Sequence, residues 1–164
     1  MNNRINDFTN LLAEKKLTLS LAESITCGLA SHQLSTAPGT SEVFRGSVVC
    51  YSSGVKKSLF GVSQKMIDQY TAESKQVTEK LAKNLGKIIP AEIQAAITGL
   101  ASADGTESKK KPVGTVFFCV VYKRTTVNER HVFRGTPLQI RKMAVRKLFD
   151  LIEKLVKAKD KPFR

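Results

Sequence analysis

A run of residues that is apolar on both of its faces constrains the fold of this chain most. Strand-forming side chains fill Val113 to Lys123, and the apolar ones fall on both sides of the strand that this run predicts. Such a strand lies inside a sheet that is covered on both faces. Its longest largely apolar part, Val113 to Tyr122, has ten residues, whereas a membrane-spanning helix needs about 20. The sequence therefore predicts a sheet between helices and no membrane segment.

Strand and helix patterns alternate along the rest of the 164 residues. The predicted strands are Leu17–Ala22, Phe44–Tyr51, Ile93–Ile97, Val113–Lys123 and a hairpin partner between Thr125 and Phe133. The predicted helices end near Lys16 and Ser35, occupy Ser53–Phe60, Ser63–Tyr70 and Val77–Ile88, and follow a capping box at Thr136–Gln139. This order predicts one α/β domain over residues 1–164, three-layer-like, with a mixed, mostly parallel sheet flanked by helices and a basic tail from about residue 158.

The cysteine and histidine content argues against disulfides and metals. Cys27, Cys50 and Cys119 have neither the spacing of a disulfide framework nor that of a zinc site, and only two histidines accompany them. The first residues lack the apolar core of a signal peptide. We therefore expect a cytoplasmic protein with reduced thiols, no metal and no membrane anchor.

The charge balance favours anionic partners. The chain has 27 Lys and Arg against 14 Asp and Glu, a net charge of +13, which attracts phosphorylated small molecules, nucleic acid and anionic surfaces alike. A solvated basic surface without a partner explains the charge equally well. Nine basic residues against three acidic ones from Arg141 to Arg164 suggest nucleic acid, but no binding motif accompanies them. Nucleic acid is therefore the last-ranked partner.

Three polar segments follow predicted strands, and catalytic groups of α/β domains gather at the carboxyl ends of strands. They are Glu23–Gly28, Tyr51–Lys57 and Thr98–Gly105. If the strands are parallel neighbours, these segments converge on one cleft. In the first segment, Ser24 and Thr26 carry hydroxyls ahead of a helix whose N-terminus could bind an anion. The local pattern alone favours Ser24 or Thr26 as a helix cap over a catalytic role.

Five collinear motifs resemble those of the CinA C-terminal domain family. Ala22–Gly28 resembles A-E-S-C-T-G-G, Pro38–Ser41 resembles P-G-S-S, Val49–Lys56 resembles V-T-Y-S-N-x-x-K, Ile97–Ala101 resembles V-T-G-I-A, and Lys111–Val116 resembles K-P-V-G-T-V. Phe133, Gly135 and Arg141 match the closing F-x-G and I-R positions. The order and spacing hold from about Ile5 to Lys157, which is nearly the whole chain.

The resemblance implies an amidohydrolase of NAD recycling that deamidates nicotinamide mononucleotide to nicotinic acid mononucleotide and ammonia. It implies Ser24 as nucleophile, Lys56 as general base and Tyr51 as an aid to proton transfer or ring orientation. The implied substrate-binding residues are Glu23, Thr26, Gly28, Thr98, Gly99 and Arg141. It further implies no cofactor, a homodimer or other homo-oligomer, and a stand-alone version of a domain that many relatives join to a larger one.

Ser24 and Lys56 have to meet two chemical conditions to act as nucleophile and general base. A serine hydroxyl needs a base within about 3 Å to become a good nucleophile. Lysine serves only when neutral, so burial or a neighbouring cation such as Lys57 must lower its pKa. The alternative is that Lys56 and Lys57 are two exposed lysines on a short helix. An oxyanion would need fixed donors, which we expect among the N–H groups of Ile25 to Gly28.

Several residues depart from the family pattern. Cys27 replaces a glycine, Ile25 a cysteine, and Ser102-Ala103-Asp104 part of a glycine-rich loop. A side chain at these positions restricts φ and the approach of a ligand to the backbone. The alternative function is therefore a catalytically impaired paralogue that binds a nucleotide or a protein partner in the same cleft. For Cys27 itself, a small buried residue is a better prediction than a reactive thiol.

Overall fold

The computed structural model describes residues 2–103 and 105–159. Asp104 and the part of the predicted basic tail beyond Lys159 lie outside the described residues. The strands are β1 Leu19–Glu23, β2 Phe44–Val49, β3 Ile93–Gly99, β4 Thr115–Tyr122 and β5 Thr125–Val132. The helices are α1 Asn2–Glu14, α2 Leu29–Ser35, α3 Thr40–Val43, α4 Ser53–Phe60, α5 Gln64–Tyr70, α6 Lys75–Ile88 and α7 Pro137–Lys159.

The described strands form one five-stranded mixed sheet in the order β2-β1-β3-β4-β5. β1 is parallel to both β2 and β3, whereas β4 is antiparallel to both β3 and β5. The prediction of one α/β domain with a mixed sheet between helices is confirmed. Parallel and antiparallel strand pairs are equally represented, because the β4–β5 hairpin joins a sheet whose other three strands are parallel.

Helices cover both faces of the sheet. Alternate side chains of a strand point to opposite faces: Ala95 and Ile97 join the core beneath α1, α2 and α7, whereas Ala96 between them joins the core beneath α4, α5 and α6. In β4, Phe118 lies in the first core and Cys119 in the second. This arrangement confirms the strand that was predicted to be apolar on both faces.

The differences from the predicted elements are local. The one-turn helix α3 was not predicted, because Pro38-Gly39 indicates a turn. Gly39, at φ +74°, is the N-cap of this helix. β1 extends through Glu23, which was assigned to the loop. The capping box of α7 is confirmed, since Thr136 N donates to Gln139 Oε1 at 2.8 Å and Gln139 N donates to Thr136 Oγ1 at 3.3 Å. No helix within the described ranges is both long and apolar enough to cross a membrane.

The topology brings the three polar segments to one edge of the sheet. β1, β2 and β3 are parallel neighbours, so their carboxyl ends meet there. Beyond β1, Ser24 N donates to Ile97 O at 3.0 Å, and Cys50 N donates to Glu23 O at 2.8 Å. The predicted convergence of these segments is therefore observed.

Candidate functional site

A cleft of about 210 Å³ opens at this edge. Its lining joins the ends of β1 and β3 to the starts of α6 and α7. The lining residues are Ser24, Ile25, Tyr51, Glu73, Gly99, Leu100, Ala101, Ser102 and Arg141. Four of the predicted site residues (Ser24, Tyr51, Gly99 and Arg141) are among them, together with Glu73, which was not predicted.

The buried carboxylate of Glu23 caps α2. Its Oε2 accepts hydrogen bonds from Gly28 N at 3.1 Å, Ala30 N at 3.1 Å and Thr26 Oγ1 at 2.7 Å. Its Oε1 accepts from Ser31 N at 2.9 Å and from Ser31 Oγ at 2.5 Å. A carboxylate at a helix N-terminus satisfies its free N–H groups and its dipole. The prediction that Ser24 or Thr26 caps this helix is therefore wrong.

This cap also corrects the predicted roles of three residues. Glu23, Thr26 and Gly28 were assigned to substrate binding, but none of them lines the cleft. Their hydrogen bonds hold the turn that carries Ser24, with Gly28 at φ +91° as the N-cap of α2. The N-terminus of α2 is filled by the protein's own carboxylate, so its N–H groups are not available to an external anion.

The turn presents Ser24 to the cleft. Ser24 is only 4% exposed, and its hydroxyl makes no hydrogen bond to any described residue. Of the four N–H groups expected to hold an oxyanion, that of Cys27 donates to Ser24 O and that of Gly28 to Glu23. Within the described ranges, the N–H groups of Ile25 and Thr26 have no protein acceptor. Of these two residues Ile25 lines the cleft, so its N–H is the better placed oxyanion donor.

Lys56 is completely buried behind the cleft. Its Nζ donates to Tyr51 O at 3.2 Å and lies 3.8 Å from Glu73 Oε1. Burial lowers the pKa of Lys56 below its ordinary value, and the nearby Glu73 carboxylate opposes that shift. The interpretation as an exposed surface lysine is wrong for Lys56. Nor do Lys56 Nζ and Ser24 Oγ form a hydrogen bond with each other.

The neighbouring Lys57 has a different environment. Its Nζ points to the surface, where it donates to Gln64 Oε1 at 2.9 Å. The predicted contribution of Lys57 to the lowered pKa of Lys56 is not observed, because burial is the cause that lowers it. Two adjacent lysines on α4 thus divide into one that faces the core and one that faces solvent.

Glu73 and Lys111 complete the polar side of the cleft. Glu73 Oε2 lies 4.0 Å from Lys111 Nζ, which also donates to Thr71 Oγ1 at 2.7 Å. Glu73 was not predicted, because residues 71–74 lie in a short connection between two predicted helices. A signal was present: α6 leads into β3, so the loop before α6 lies at the carboxyl edge of the parallel strands. An acidic residue in that loop is therefore a site candidate.

Thr98 does not reach the cleft. It is fully buried, and its hydroxyl pairs with Thr78 Oγ1 at 2.7 Å. The hydroxyl predicted to contact substrate or oxyanion is thus engaged in the core, and Thr98 is not among the residues that line the cleft. The following Gly99 does line the cleft, and a Cβ there would lie 2.5 Å from Thr115 O. Only glycine fits at this position without moving β4.

Arg141 and Tyr51 lie at the cleft as predicted. Arg141 Nε donates to Ile25 O at 2.9 Å, which ties the start of α7 to the turn that carries Ser24. The terminal amino groups of Arg141 make no hydrogen bond within the described part of the chain. Tyr51 is 62% exposed, so its ring is free to contact a ligand.

Cys27 is exposed at φ +49°, which corrects the prediction of a buried residue. At the position of Cys27 the family motif has glycine. The left-handed backbone conformation of Cys27 is costly for a residue with a Cβ. Ser102 lines the cleft, whereas Asp104, another of the departures from the family pattern, is outside the described residues. Over residues 2–103 and 105–159, no cluster of three metal-ligating side chains is found.

A larger cavity of about 370 Å³ lies between α1, α2 and α7. Its polar lining consists of Arg4, Gln33, Thr36, Lys142 and Arg146. It combines no nucleophile with a buried base. The smaller cleft is therefore the stronger candidate for chemistry.

Comparison with known proteins agrees with the fold and the motifs. Residues 2–156 match the family described as CinA C-terminal domain. A CinA-like protein of Pseudothermotoga lettingae is 40% identical over 132 residues, which cover 76% of this chain and 32% of that protein. The chain thus spans about a third of the length of such curated relatives.

Solved structures give the same result. The competence-damaged protein (CinA) superfamily protein of Escherichia coli superposes with a TM-score of 0.88 at 27% identity, covering 94% of this chain and 89% of the other. The corresponding protein of Klebsiella pneumoniae superposes with a TM-score of 0.90 at 22% identity, covering 96% and 98% of the two chains, and shares the fold.

Proposed function

The chain belongs to the CinA C-terminal domain family, and we propose that it is an amidohydrolase that deamidates nicotinamide mononucleotide to nicotinic acid mononucleotide and ammonia. The observation that supports this most is Lys56, a fully buried lysine whose pKa burial lowers, directly behind a cleft that carries Ser24. A buried lysine is costly for stability, and titratable groups whose pKa is shifted by burial beside a cleft are typical of catalytic sites.

In the proposed reaction, Ser24 Oγ attacks the carboxamide carbon and its proton passes to neutral Lys56. Lys56 Nζ donates to the backbone carbonyl of Tyr51 rather than to Ser24 Oγ, so the proton needs a carrier, for which we propose a water molecule or the side-chain hydroxyl of Tyr51, a residue that lines the cleft. The oxyanion is held by the N–H groups of Ile25 and Thr26. The C–N bond then breaks, and the nitrogen leaves as ammonia with the proton from Lys56.

The second half of the reaction releases the acid. Water attacks the acyl ester on Ser24, and Lys56 takes the water's proton through the same route. The carboxylic acid leaves, and the proton returns to Ser24 Oγ. Ser24 is the nucleophile of the first half and water that of the second, while both halves use the same base and oxyanion donors, so no metal or organic cofactor enters the scheme.

Arg141 is the proposed phosphate partner. Its Nε is used by Ile25 O, which leaves two amino groups in the cleft for a bidentate contact with phosphate oxygens. The N-terminus of α2 does not serve, because Glu23 fills it. A positively charged protein also raises the local concentration of an anionic substrate, and this chain has a net charge of +13.

A catalytically impaired paralogue that binds a nucleotide or a protein partner in this cleft is the second candidate. Two observations favour it: Cys27 adopts a glycine-like φ of +49° beside the cleft, and Ser24 Oγ has no hydrogen bond to Lys56. The two candidates share the site and differ in turnover.

Ammonia release from nicotinamide mononucleotide tests the proposal. We expect turnover by the wild type and a loss of at least about a thousandfold in Ser24→Ala and in Lys56→Met, because each removes one member of the nucleophile–base pair. Lys56→Met keeps the buried volume. The matched controls Ser58→Ala and Lys57→Met change exposed residues of α4 and should retain wild-type rates.

One outcome separates the two candidates, and another tests the role of Lys56. A folded wild type that binds the nucleotide in calorimetry without releasing ammonia supports the impaired paralogue. Equal losses in Lys57→Met and Lys56→Met would contradict the role of the buried lysine.

A further inference from the structure

The carboxylate of Glu73 is shared by two lysines. Glu73 Oε1 lies 3.8 Å from Lys56 Nζ, and Oε2 lies 4.0 Å from Lys111 Nζ. The side chains of Glu73 and Lys111 are 13% and 12% exposed, and that of Lys56 is fully buried. Glu73 also lines the cleft. One oxygen of Glu73 thus faces the core lysine, while the other faces a lysine from the loop before β4.

The backbone on both sides of Glu73 is fixed. Thr71, a β-branched residue, is held at φ +68°, a conformation rare enough for such residues to indicate a constraint from its surroundings. Lys111 Nζ donates to Thr71 Oγ1 at 2.7 Å, and Ser74 Oγ donates to Thr71 O at 3.0 Å. Ser74 Oγ in turn accepts from Val77 N at 3.3 Å as the N-cap of α6. Glu73 therefore sits on an anchored turn rather than on a free loop.

We infer that Glu73 is a positioning residue that holds the amine of Lys56 behind the cleft, and that Lys111 sets how strongly it does so by sharing the same carboxylate. The inference rests on the proposed function, in which Lys56 is the general base. It assigns a role to two residues that touch neither the attacked carbon nor the leaving nitrogen.

The charged and titratable groups around Lys56 determine whether a substitution raises or lowers its pKa. Glu73 faces it from the segment before α6, and the Cys50 thiol, whose pKa burial raises to about 11, faces it from the end of β2. Glu23 of β1 faces Cys50, and Lys111 faces Glu73. Glu73 stabilises the protonated amine of Lys56, so removing it favours the neutral amine. Lys111 neutralises Glu73, so removing it favours the protonated amine.

Opposite shifts in the pH profile test the inference. An opposite charge at this range changes a pKa by about 1–3 units. We therefore expect Glu73→Gln to move the acid limb of kcat/KM for ammonia release to lower pH by about one unit, because neutral Lys56 then persists to lower pH. Lys111→Met should move the limb to higher pH by a smaller amount. A purely structural role predicts slower turnover without opposite displacements.

A second readout does not depend on activity. The ¹³Cε chemical shift of Lys56 in lysine-labelled protein, assigned by comparison with Lys56→Met, reports its titration directly. The matched surface pair Glu129 and Lys147, joined at 2.5 Å, supplies the controls Glu129→Gln and Lys147→Met, which should leave that titration unchanged.

The two readouts keep the claims separate. Opposite displacements of the Lys56 titration in Glu73→Gln and Lys111→Met support the inference even if the wild type releases no ammonia, an outcome that overturns only the proposed function. Turnover by the wild type together with an unmoved Lys56 titration in both variants overturns the inference and leaves the proposed function standing.

Discussion

Two acidic residues beside the cleft, the fully buried Glu23 and the partly exposed Glu73, have opposite kinds of partners. Glu23 accepts hydrogen bonds from three backbone N–H groups and two hydroxyls, all from the turn and helix that follow it. Glu73 lies between two lysine amines at 3.8 and 4.0 Å, and both come from distant parts of the chain. The carboxylate of Glu23 stabilises the backbone at the start of α2, whereas that of Glu73 acts on the charge of two lysine amines. Burial alone therefore does not identify a functional acid; its partners do.

The largest effect that this comparison predicts is on stability at Glu23. Glu23→Ala leaves the N–H groups of Gly28, Ala30 and Ser31 without an acceptor inside the protein. A buried unpaired donor costs about 1–3 kcal/mol, and of the three bonds that of Ala30 N is fully buried whereas those of Gly28 N and Ser31 N are partly buried. We therefore expect the unfolding free energy to fall by about 2–3 kcal/mol in urea titrations. Glu73→Gln is the matched change, and its cost should stay below about 1 kcal/mol, as for partly screened ion pairs. Equal costs for the two variants would remove the distinction.

A smaller effect concerns the pH dependence that Lys56 gives to folding. Its folded pKa lies below the ordinary value of 10.5, so between those two pH values the unfolded chain binds more protons than the folded one. Stability then rises with pH across that window. We expect the urea midpoint of the wild type to rise with pH relative to that of Lys56→Met, with a slope that corresponds to a difference of at most one bound proton between the unfolded and folded states. Parallel pH curves for the two proteins would contradict a lowered pKa of Lys56 in the folded protein.

Much of the fold could be predicted because its signals are local and periodic. A pattern of only a few residues predicts each of several elements. These are the strand β4 with apolar residues on both faces, the capping box at Thr136 and the helices that contain Phe60 and Leu81. The parallel strands place their loops together by topology alone. The one-turn helix α3 was missed because four residues are too few to show a period.

The site was harder to predict because its contacts join distant residues. The sequence did not predict that Lys56 is buried while Lys57 is exposed. The groups that contact Lys56 Nζ, the Tyr51 carbonyl and the Glu73 carboxylate, lie outside α4. The hydroxyl of Thr98 was expected in the cleft, but Thr78 of α6 holds it in the core. The cap on α2 was assigned to a hydroxyl, because a glutamate at the end of a strand is not a common cap.

The most direct test of the central claim is the identity of the residue that becomes acylated. Wild-type protein mixed with nicotinamide mononucleotide, quenched in acid during turnover and digested, should carry the acyl group on the peptide that contains Ser24. The peptide with Ser102, the other serine lining the cleft, should be unmodified. An acyl group on Ser102 or on the exposed Cys27 thiol, or steady ammonia release by Ser24→Ala, would contradict the assignment of Ser24 as the nucleophile.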